Sequence, residues 1–116
     1  MATETVSEAE KMRRVPGVYF ATEPSGRCAK VAGTGIGVWE IIDGARTITE
    51  PGLSLAERVA LGYDWLTPAQ RQAALDYYAA FPDEIDAHLA RQDAITPEWV
   101  RAHFPRLPGQ PRPPRT

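Results

Sequence analysis

Two histidines and one cysteine are the side chains of this sequence with the most versatile chemistry. His88 and His103 lie fifteen positions apart, and no second cysteine or carboxylate stands near them at the spacing of metal ligands. We therefore interpret both histidines as solvated residues on helix surfaces. Cys28 could act as a nucleophile, but it falls within a predicted strand, where a small buried apolar role is more common.

A carboxylate run and a glycine run are the remaining candidates for a catalytic or anion-binding site. Asp83, Glu84 and Asp86 follow Pro82, and carboxylates at a helix start are expected to complement the helix dipole. Residues 33–37, Gly-Thr-Gly-Ile-Gly, lack the spacing and the ending of phosphate-binding loops, so we predict a structural strand-to-helix turn there. The sequence thus predicts no enzyme, no metal site and no cofactor.

The C-terminal segment combines apolar and basic side chains in a proline-rich stretch. Such a stretch cannot bury aromatic groups in a large core of its own, and apolar anchors beside arginines suit a groove with acidic groups on a partner protein. The alternative is that Trp99 and Phe104 fold back and cap the domain. The predicted partner-binding residues are Trp99, Val100, Arg101, Phe104, Arg106, Leu107 and Arg112, with Arg115 as a further arginine.

A capped helix in the middle of the chain indicates a second kind of surface. The order short helix, helix, turn, capped helix across residues 37–80 is typical of a three-helix unit that reads DNA. The first turn of the third helix carries a glutamine and an arginine, which suit paired contacts with adenine and guanine. The alternative is that these polar residues form the solvated face of a core helix. The predicted DNA-binding residues are Thr67, Gln70, Arg71, Arg46 and Arg58.

A β-hairpin is predicted near the N-terminus. Residues 18–22 are rich in β-forming side chains, residues 23–26 form a turn sequence, and residues 27–32 follow as a second strand. A lone two-stranded hairpin is marginal in water, so it must pack on helices or add strands from another chain, which would favour a dimer. Residues 1–14 have few large apolar groups and are predicted to be a flexible arm or a frayed helix.

Five helices are predicted after the hairpin. The motifs S-x-x-E at 54–57 and T-P-x-Q at 67–70 have the form of capping boxes, which satisfy free amides at a helix start. A proline disfavours helical geometry in the residue before it, so Pro82 separates the third helix from the fourth. The first is a short helix that ends near Gly44, and the others cover roughly residues 54–61, 68–80, 82–92 and 97–104.

Length and net charge limit the classes of protein to which this chain can belong. The 116 residues fit one small domain, here residues 15–92 with the hairpin and the helix-turn-helix, followed by a short helix and a Pro/Arg-rich tail over 93–116. The net charge is −2, made of an acidic body of −5 over residues 1–104 and a tail of +3. This balance excludes a uniformly basic coat for nucleic acid. No apolar stretch approaches the roughly 18 residues that span a bilayer, so we expect a cytoplasmic protein without a membrane partner.

Three stretches of the chain carry recognisable motifs: residues 32–42 (AGTGIGVWEII), 66–70 (LTPAQ) and 73–78 (AALDYY). They resemble an antitoxin-like family, the domain-of-unknown-function family numbered 433. Its pattern is G-T-R-[IL]-x-V before a helix, and then an L-T motif that opens a helix with A-L-x-Y-Y. The likeness covers roughly residues 15–92. The chain departs from the pattern at Gly35, where the family often has arginine, and at Gly37, where it often has proline.

The resemblance implies a VapB-type antitoxin with a homeodomain-like helix-turn-helix bundle, paired with a PIN-like ribonuclease toxin. Such a protein would neutralise its toxin by direct contact and, as a homodimer, bind operator DNA to repress its own operon. PIN-type toxins hold magnesium with a carboxylate cluster, which an antitoxin arginine could enter. We therefore expect an antitoxin that is a transcription repressor of its own operon. The alternative is a protein-interaction adaptor without DNA binding.

Overall fold

The computed structural model describes residues 6–103, and these form six helices and one β-hairpin. The predicted class, mainly α with a short hairpin near the N-terminus, is confirmed. Within the described range, no helix has the length and apolar character needed to cross a membrane. The elements are α1 (Glu8–Arg14), β1 (Val18–Glu23), β2 (Gly26–Val31), α2 (Val38–Arg46), α3 (Leu55–Gly62), α4 (Pro68–Ala80), α5 (Pro82–Asp93) and α6 (Pro97–His103).

The hairpin packs on the helices of its own chain. Its strands are antiparallel, with Val18 opposite Val31 and Glu23 opposite Gly26. Gly26 has a φ of +111°, a left-handed conformation that residues with a side chain rarely adopt. Val18, Ala29 and Val31 are buried, and both strands contact α4 while β2 also contacts α2. Of the two predicted ways to stabilise the hairpin, packing on helices is therefore present.

Side-chain caps begin α3 and α4 where the sequence predicts them. The Ser54 hydroxyl accepts a hydrogen bond from the Glu57 amide at 3.1 Å, and the Glu57 carboxylate accepts one from the Ser54 amide at 3.1 Å. Thr67 and Gln70 make the same reciprocal pair at 3.1 and 2.9 Å. Both capping boxes are confirmed, and α4 has the predicted range Pro68–Ala80.

The predicted first helix is present as α2, which continues through Gly44 and ends two residues later, at Arg46. A Cβ atom on Gly44 would lie 2.3 Å from the Tyr63 hydroxyl oxygen. That hydroxyl donates a hydrogen bond to the Glu40 carbonyl oxygen at 3.0 Å. The glycine is therefore explained by the close approach of the segment between α3 and α4, and α2 runs on to Arg46.

Helix α4 supplies the aromatic centre of the core. Tyr77 is fully buried, with its ring centroid 6.2 Å from that of Phe20 on β1 and 5.1 Å from that of Phe81. Its hydroxyl donates to the Glu84 carboxylate at 2.5 Å, which removes the cost of burying an unpaired polar group. The other large side chains that are fully buried are Ile41, Val31, Val38 and Val59.

The N-terminal segment predicted as a flexible arm or frayed helix contains the docked helix α1. Lys11 pairs with Glu84 on α5, and its ammonium lies 5.9 Å from the ring centroid of Phe20 and 5.2 Å from that of Phe81. Val15, which follows α1, is buried. One lysine therefore joins α1 to the hairpin and to α5, a tertiary contact that the local composition does not show.

Candidate binding surfaces

The polar residues at the start of α4 are engaged within the chain. The Thr67 hydroxyl and the Gln70 carboxamide oxygen form the reciprocal cap of the helix. The Gln70 amide nitrogen donates to the Ala32 carbonyl oxygen at 3.4 Å, beyond the end of β2. Gln70 therefore connects the turn that follows the hairpin to α4. A hydrogen bond from the Gln70 side chain to a DNA base would compete with its bonds to Thr67 and Ala32.

Arg71 holds the connection between α3 and α4. Its guanidinium donates to the carbonyl oxygens of Tyr63, at 3.3 Å, and of Leu66. These carbonyls follow the end of α3, where backbone acceptors lack helical partners. The side chain is half-buried, so this arginine is positioned to satisfy the chain's own backbone.

The two further arginines predicted to contact DNA belong to different parts of the molecule. Arg46, at the end of α2, pairs with Asp43 at 2.9 Å and with Asp93 of α5 at 2.8 Å. The Arg58 Nε atom of α3 is buried and has no hydrogen-bond partner among the described residues. The structure thus brings Thr67, Gln70 and Arg71 together at one helix start, while Arg46 lies at the α2–α5 junction.

The exposed face of α4 has little positive charge. Arg71 is the only basic residue between Pro68 and Ala80, and Asp76 is exposed on the same helix, where it accepts a hydrogen bond from Gln72 at 2.8 Å. Phosphate contacts supply most of the affinity of DNA-binding proteins. Contacts with DNA along this face would therefore depend on Arg71 and on hydrogen bonds from neutral side chains.

A shallow depression adjoins the start of α4. Its volume is about 280 Å³, and small side chains and backbone provide most of its wall. It contains no titratable side chain, so it offers no acid, base or nucleophile for catalysis. It is lined by Pro16, Gly17, Ala32, Ala69, Gln70 and Ala73.

Helix α6 differs from the other helices because it packs on no described helix or strand and has no buried residue. Thr96 accepts a hydrogen bond from the Trp99 amide at 3.0 Å and begins the helix. The rings of Trp99 and His103 stack, with centroids 4.1 Å apart. Val100 is half-buried, and Arg101 is exposed beside Glu98 at 3.4 Å. Of the predicted partner-binding residues, Phe104, Arg106, Leu107 and Arg112 lie outside the described residues, as does Arg115.

His88 is buried, so its interpretation as a solvated surface residue is wrong. Its ring stacks on Trp39 of α2 with centroids 4.6 Å apart, and its Nε2 atom has no hydrogen-bond partner among the described residues. Its Nδ1 atom lies 3.4 Å from the guanidinium of Arg91. Burial, and then the Arg91 charge, lower the pKa of His88 below its usual value. His88 shares a helix face with Ile85 and Leu89, which direct it toward the core.

Cys28 is buried in the fold, and two carboxylates of the run accept hydrogen bonds from tyrosines of α4. Cys28 is buried on β2 as predicted, and burial raises the pKa of its thiol above the usual value, which disfavours the nucleophilic thiolate. Glu84 accepts from Tyr77, and Asp86 accepts from the hydroxyl of Tyr78 at 2.7 Å. Among residues 6–103, no three histidine, cysteine or acidic side chains lie close enough to hold a metal ion.

Two apolar side chains missing from the predicted surfaces are exposed where α3 leads toward α4. Leu61 has 55% of its surface exposed and Trp65 has 65%, and the Trp65 ring lies 6.1 Å from that of Tyr63. A tryptophan inside the short connection between two helices is the signal that could have indicated them. Exposed tryptophan is enriched at protein interfaces, so this corner is a further apolar surface on the body of the protein.

Comparison of the chain with protein-family models, with curated proteins and with solved structures found no match. A functional proposal therefore depends on the geometry above, on the chemistry of the side chains and on the sequence resemblance over residues 15–92.

Proposed function

We propose that this protein acts by binding another protein through its C-terminal segment, as the antitoxin that neutralises a PIN-like ribonuclease toxin. The observation that carries the proposal is that α6 packs on no described helix or strand. A helix of seven residues is far below the length at which helices are stable alone in water, so a partner surface would stabilise it.

The side chains of α6 suit a protein partner. Val100 offers apolar area, and Trp99 is of the residue type most enriched at the energetic centres of interfaces. Arg101 is 70% exposed, and its pair with Glu98 is exposed too, so little free energy holds the guanidinium in place. A carboxylate on a partner can therefore replace Glu98 as the ion-pair partner of Arg101 at a small cost in free energy.

The acidic cluster of a PIN-like nuclease is a chemically suitable target for this segment. Residues 105–116 carry a charge of +3 and no acidic residue. An arginine that enters a carboxylate cluster forms two parallel hydrogen bonds and opposes the binding of magnesium there. The toxin class itself comes from the sequence resemblance over residues 15–92.

The test is inhibition of a PIN-fold ribonuclease encoded beside this gene. RNA cleavage is measured as the full-length protein is added, and then with the double variant Trp99→Ala/Val100→Ala and with Arg101→Ala. Truncation of interface anchors costs about 2 kcal/mol or more, so the double variant is expected to raise the inhibition constant about thirtyfold or more. Arg13→Ala removes an equally exposed arginine from α1 and serves as the matched control.

The proposal fails if the double variant and Arg101→Ala inhibit the nuclease as well as Arg13→Ala does. It also fails if a chain that ends at Asp93 inhibits at full strength, because that chain lacks α6 and the tail. Far-ultraviolet circular dichroism of each variant establishes that the body is folded.

Binding of operator DNA as a homodimer, with repression of its own operon, is a second candidate function. The observation that favours it is the mutual packing of α2, α3 and α4, with α4 capped at its exposed start. Mobility shifts with the DNA upstream of the gene, at two salt concentrations, test it. Arg71→Ala and Gln70→Ala should lower the affinity, and Arg71→Ala should reduce the salt dependence by about one phosphate contact.

The structure adds a control to this second test, because Arg71 and Gln70 also hold the protein together. A loss of DNA affinity supports a contact with DNA only if urea unfolding shows that the variant is fully folded under the conditions of the mobility-shift experiment. If no shift occurs at low salt while nuclease inhibition persists, the protein is a protein-binding factor without a DNA role. If the protein binds neither the nuclease nor the DNA, an interaction adaptor for another partner is the remaining proposal.

A further inference from the structure

The end of the chain has a sequence repeat of three residues. Prolines occupy positions 105, 108, 111 and 114, and the arginines at 106, 112 and 115 each follow one of them directly. These positions lie outside the described range, and the repeat is a property of the sequence. A polyproline II helix has three residues per turn, so in that form the segment would have a proline face, an arginine face and a third face with positions 107, 110, 113 and 116. Proline-rich segments dock on aromatic side chains, and arginines beside them favour carboxylates.

The body of the protein presents aromatic surface between α3 and α4. Trp65 is the most exposed large hydrophobic side chain among residues 6–103, and the centroid of its ring lies 6.1 Å from that of Tyr63. Asp64, which separates the two in the chain, is exposed as well. We call residues 63–65 the aromatic corner. The corner combines aromatic and acidic side chains, which are the two chemistries that a segment of prolines and arginines recognises.

Hydrogen bonds hold the aromatic corner in a fixed conformation. The Tyr63 hydroxyl donates to the Glu40 carbonyl oxygen at 3.0 Å. The Leu66 amide donates to the Tyr63 carbonyl oxygen at 3.1 Å and closes a turn over residues 63–66, and Arg71 donates to the same oxygen at 3.3 Å. Trp65 is therefore the third residue of a closed turn. A surface that is ordered before binding loses less conformational entropy when a ligand docks on it.

Carboxylates outnumber arginines around the aromatic corner. Burial, and then two neighbouring carboxylate charges, raise the pKa of Tyr63. The carboxylates in or beside the corner are Glu40, Asp43 and Asp64. Two arginines lie near them, and both are engaged, Arg71 with backbone carbonyls and Arg46 with carboxylates. Residues 105–116, with a charge of +3, are therefore opposite in sign to this surface.

The C-terminal segment leaves the body at the end of the molecule that carries the aromatic corner. Asp93, the last residue of α5, pairs with Arg46, the last residue of α2, at 2.8 Å. In the same last turn of α2, Gly44 is in close contact with Tyr63. Helix α6 spans only about 10 Å. The thirteen residues after it span about 40 Å in polyproline II form, so they are long enough to return to the corner.

We propose that the aromatic corner binds residues 105–116 of the same chain as a polyproline II helix, with the proline face on the Trp65 ring and the arginine face beside Asp64. Because the segment is tethered, its effective concentration at the corner is about millimolar, so a weak contact is enough to populate the docked form. Docking holds the segment on the body, and another protein that binds these residues has to displace them from Trp65. The contact does not rest on the proposed nuclease partner and is tested without it.

The first experiment is NMR of the tryptophan indole N–H signals in the isotope-labelled full-length chain. Pro108→Ala/Pro111→Ala removes the two central residues of the proline face and keeps the charge. Loss of the apolar contact of two prolines is expected to lower the ratio of docked to undocked chains about tenfold, so the Trp65 signal should move. Gln110→Ala/Pro113→Ala changes the corresponding positions of the third face and is the matched control, which should leave the Trp65 signal in place.

The second experiment observes the same contact from the segment, through the backbone amide signals of Gly109 and Arg112. Trp65→Ala removes the docking ring and is expected to move both signals. Met12→Ala removes another exposed apolar side chain, on α1, and should leave them unchanged. Asp64→Asn should have a smaller effect, about twofold in the docked ratio, because exposed ion pairs contribute little free energy.

Three outcomes overturn the proposal: a Trp65 signal that is the same in the natural chain and in Pro108→Ala/Pro111→Ala, equal movement of that signal in the matched control, or segment amides that do not respond to Trp65→Ala. Movements that disappear on dilution would assign the contact to the segment of a second copy and overturn it too. If Trp65→Ala does not fold, the proline variants decide, because they change residues outside the folded body.

Discussion

Helices α4 and α6 begin with the same dipeptide, Thr-Pro, and both are capped by the threonine hydroxyl. The first is thirteen residues long and contains Tyr77, the centre of the core. The second has seven residues and packs on no described helix or strand. The same local signal therefore begins a helix that organises the fold and a helix that has no buried residue. What differs is the tertiary contact that follows the cap.

The largest expected difference between the two helices is in the free energy of unfolding. Tyr77→Ala removes a fully buried ring and leaves a cavity, so we expect a loss of about 3–5 kcal/mol. Trp99→Ala on α6 should change the same free energy by less than about 0.5 kcal/mol. Urea unfolding followed by circular dichroism measures both values. A loss above about 1 kcal/mol for Trp99→Ala would mean that the C-terminal segment folds back onto the domain.

Gly44→Ala tests the close packing on which the body depends. The added Cβ would lie 2.3 Å from the Tyr63 hydroxyl, so we expect a loss of about 1–3 kcal/mol. Gly62→Ala is the matched control in α3, since its Cβ would meet Ile48 at an ordinary 3.4 Å. That variant should be neutral or stabilising by less than about 1 kcal/mol, as measured by thermal unfolding. Similar losses for both would contradict the contact of Tyr63 with α2.

The caps themselves provide a direct comparison of the two helices. Thr67→Ala removes the cap of α4, and we expect it to lower the free energy of unfolding by about 1 kcal/mol. Thr96→Ala removes the equivalent cap of α6 and should leave global stability unchanged within about 0.5 kcal/mol, because α6 contributes no core contact. If both variants lose the same amount in urea, then α6 unfolds together with the body.

The smallest expected effect is a pH dependence from His88. Burial lowers the pKa of His88 in the folded state, so the unfolded chain, with a pKa near 6.5, takes up a proton first as the pH falls. The groups that face it are Arg91 and Glu84 on its own helix and Glu40 on α2. Stability is therefore complete above about pH 6.5 and falls below it, by about 1 kcal/mol or less at pH 5.5.

His88→Phe keeps an aromatic ring against Trp39 and removes the titrating group. Urea unfolding at several pH values between 5.5 and 7.5 should show a smaller slope for this variant than for the natural chain. A slope that is the same in both proteins would show that other groups cause the pH dependence.

The bounds of α3 and α4 could be predicted because their signals are local. A serine with a glutamate three residues later, or a threonine followed by proline and glutamine, determines a helix start by short-range hydrogen bonds. The end of α2 could not be predicted in this way. Gly44 is a stop signal by itself, but the approach of Tyr63 from nineteen residues along the chain gives it a different role.

The candidate surfaces were harder to predict than the helices that carry them. Arg71 and Gln70 lie where the sequence places them, at the start of α4, but nothing in the local sequence shows that Tyr63, Leu66 and Ala32 would accept their hydrogen bonds. His88 carried a usable signal, because it is three residues after Ile85 on an amphipathic helix. The helical period would have placed it in the core.

The buried position of Cys28 makes the rate of its reaction with a thiol reagent a measure of local opening. A thiol reagent can reach this side chain, 6% exposed, only when β2 separates from the helices that cover it. The rate of labelling therefore equals the opening equilibrium multiplied by the reactivity of a free thiol, and it reports how often this region opens while the rest stays folded. Because the cysteine is the only one in the chain, every labelling event comes from this one place.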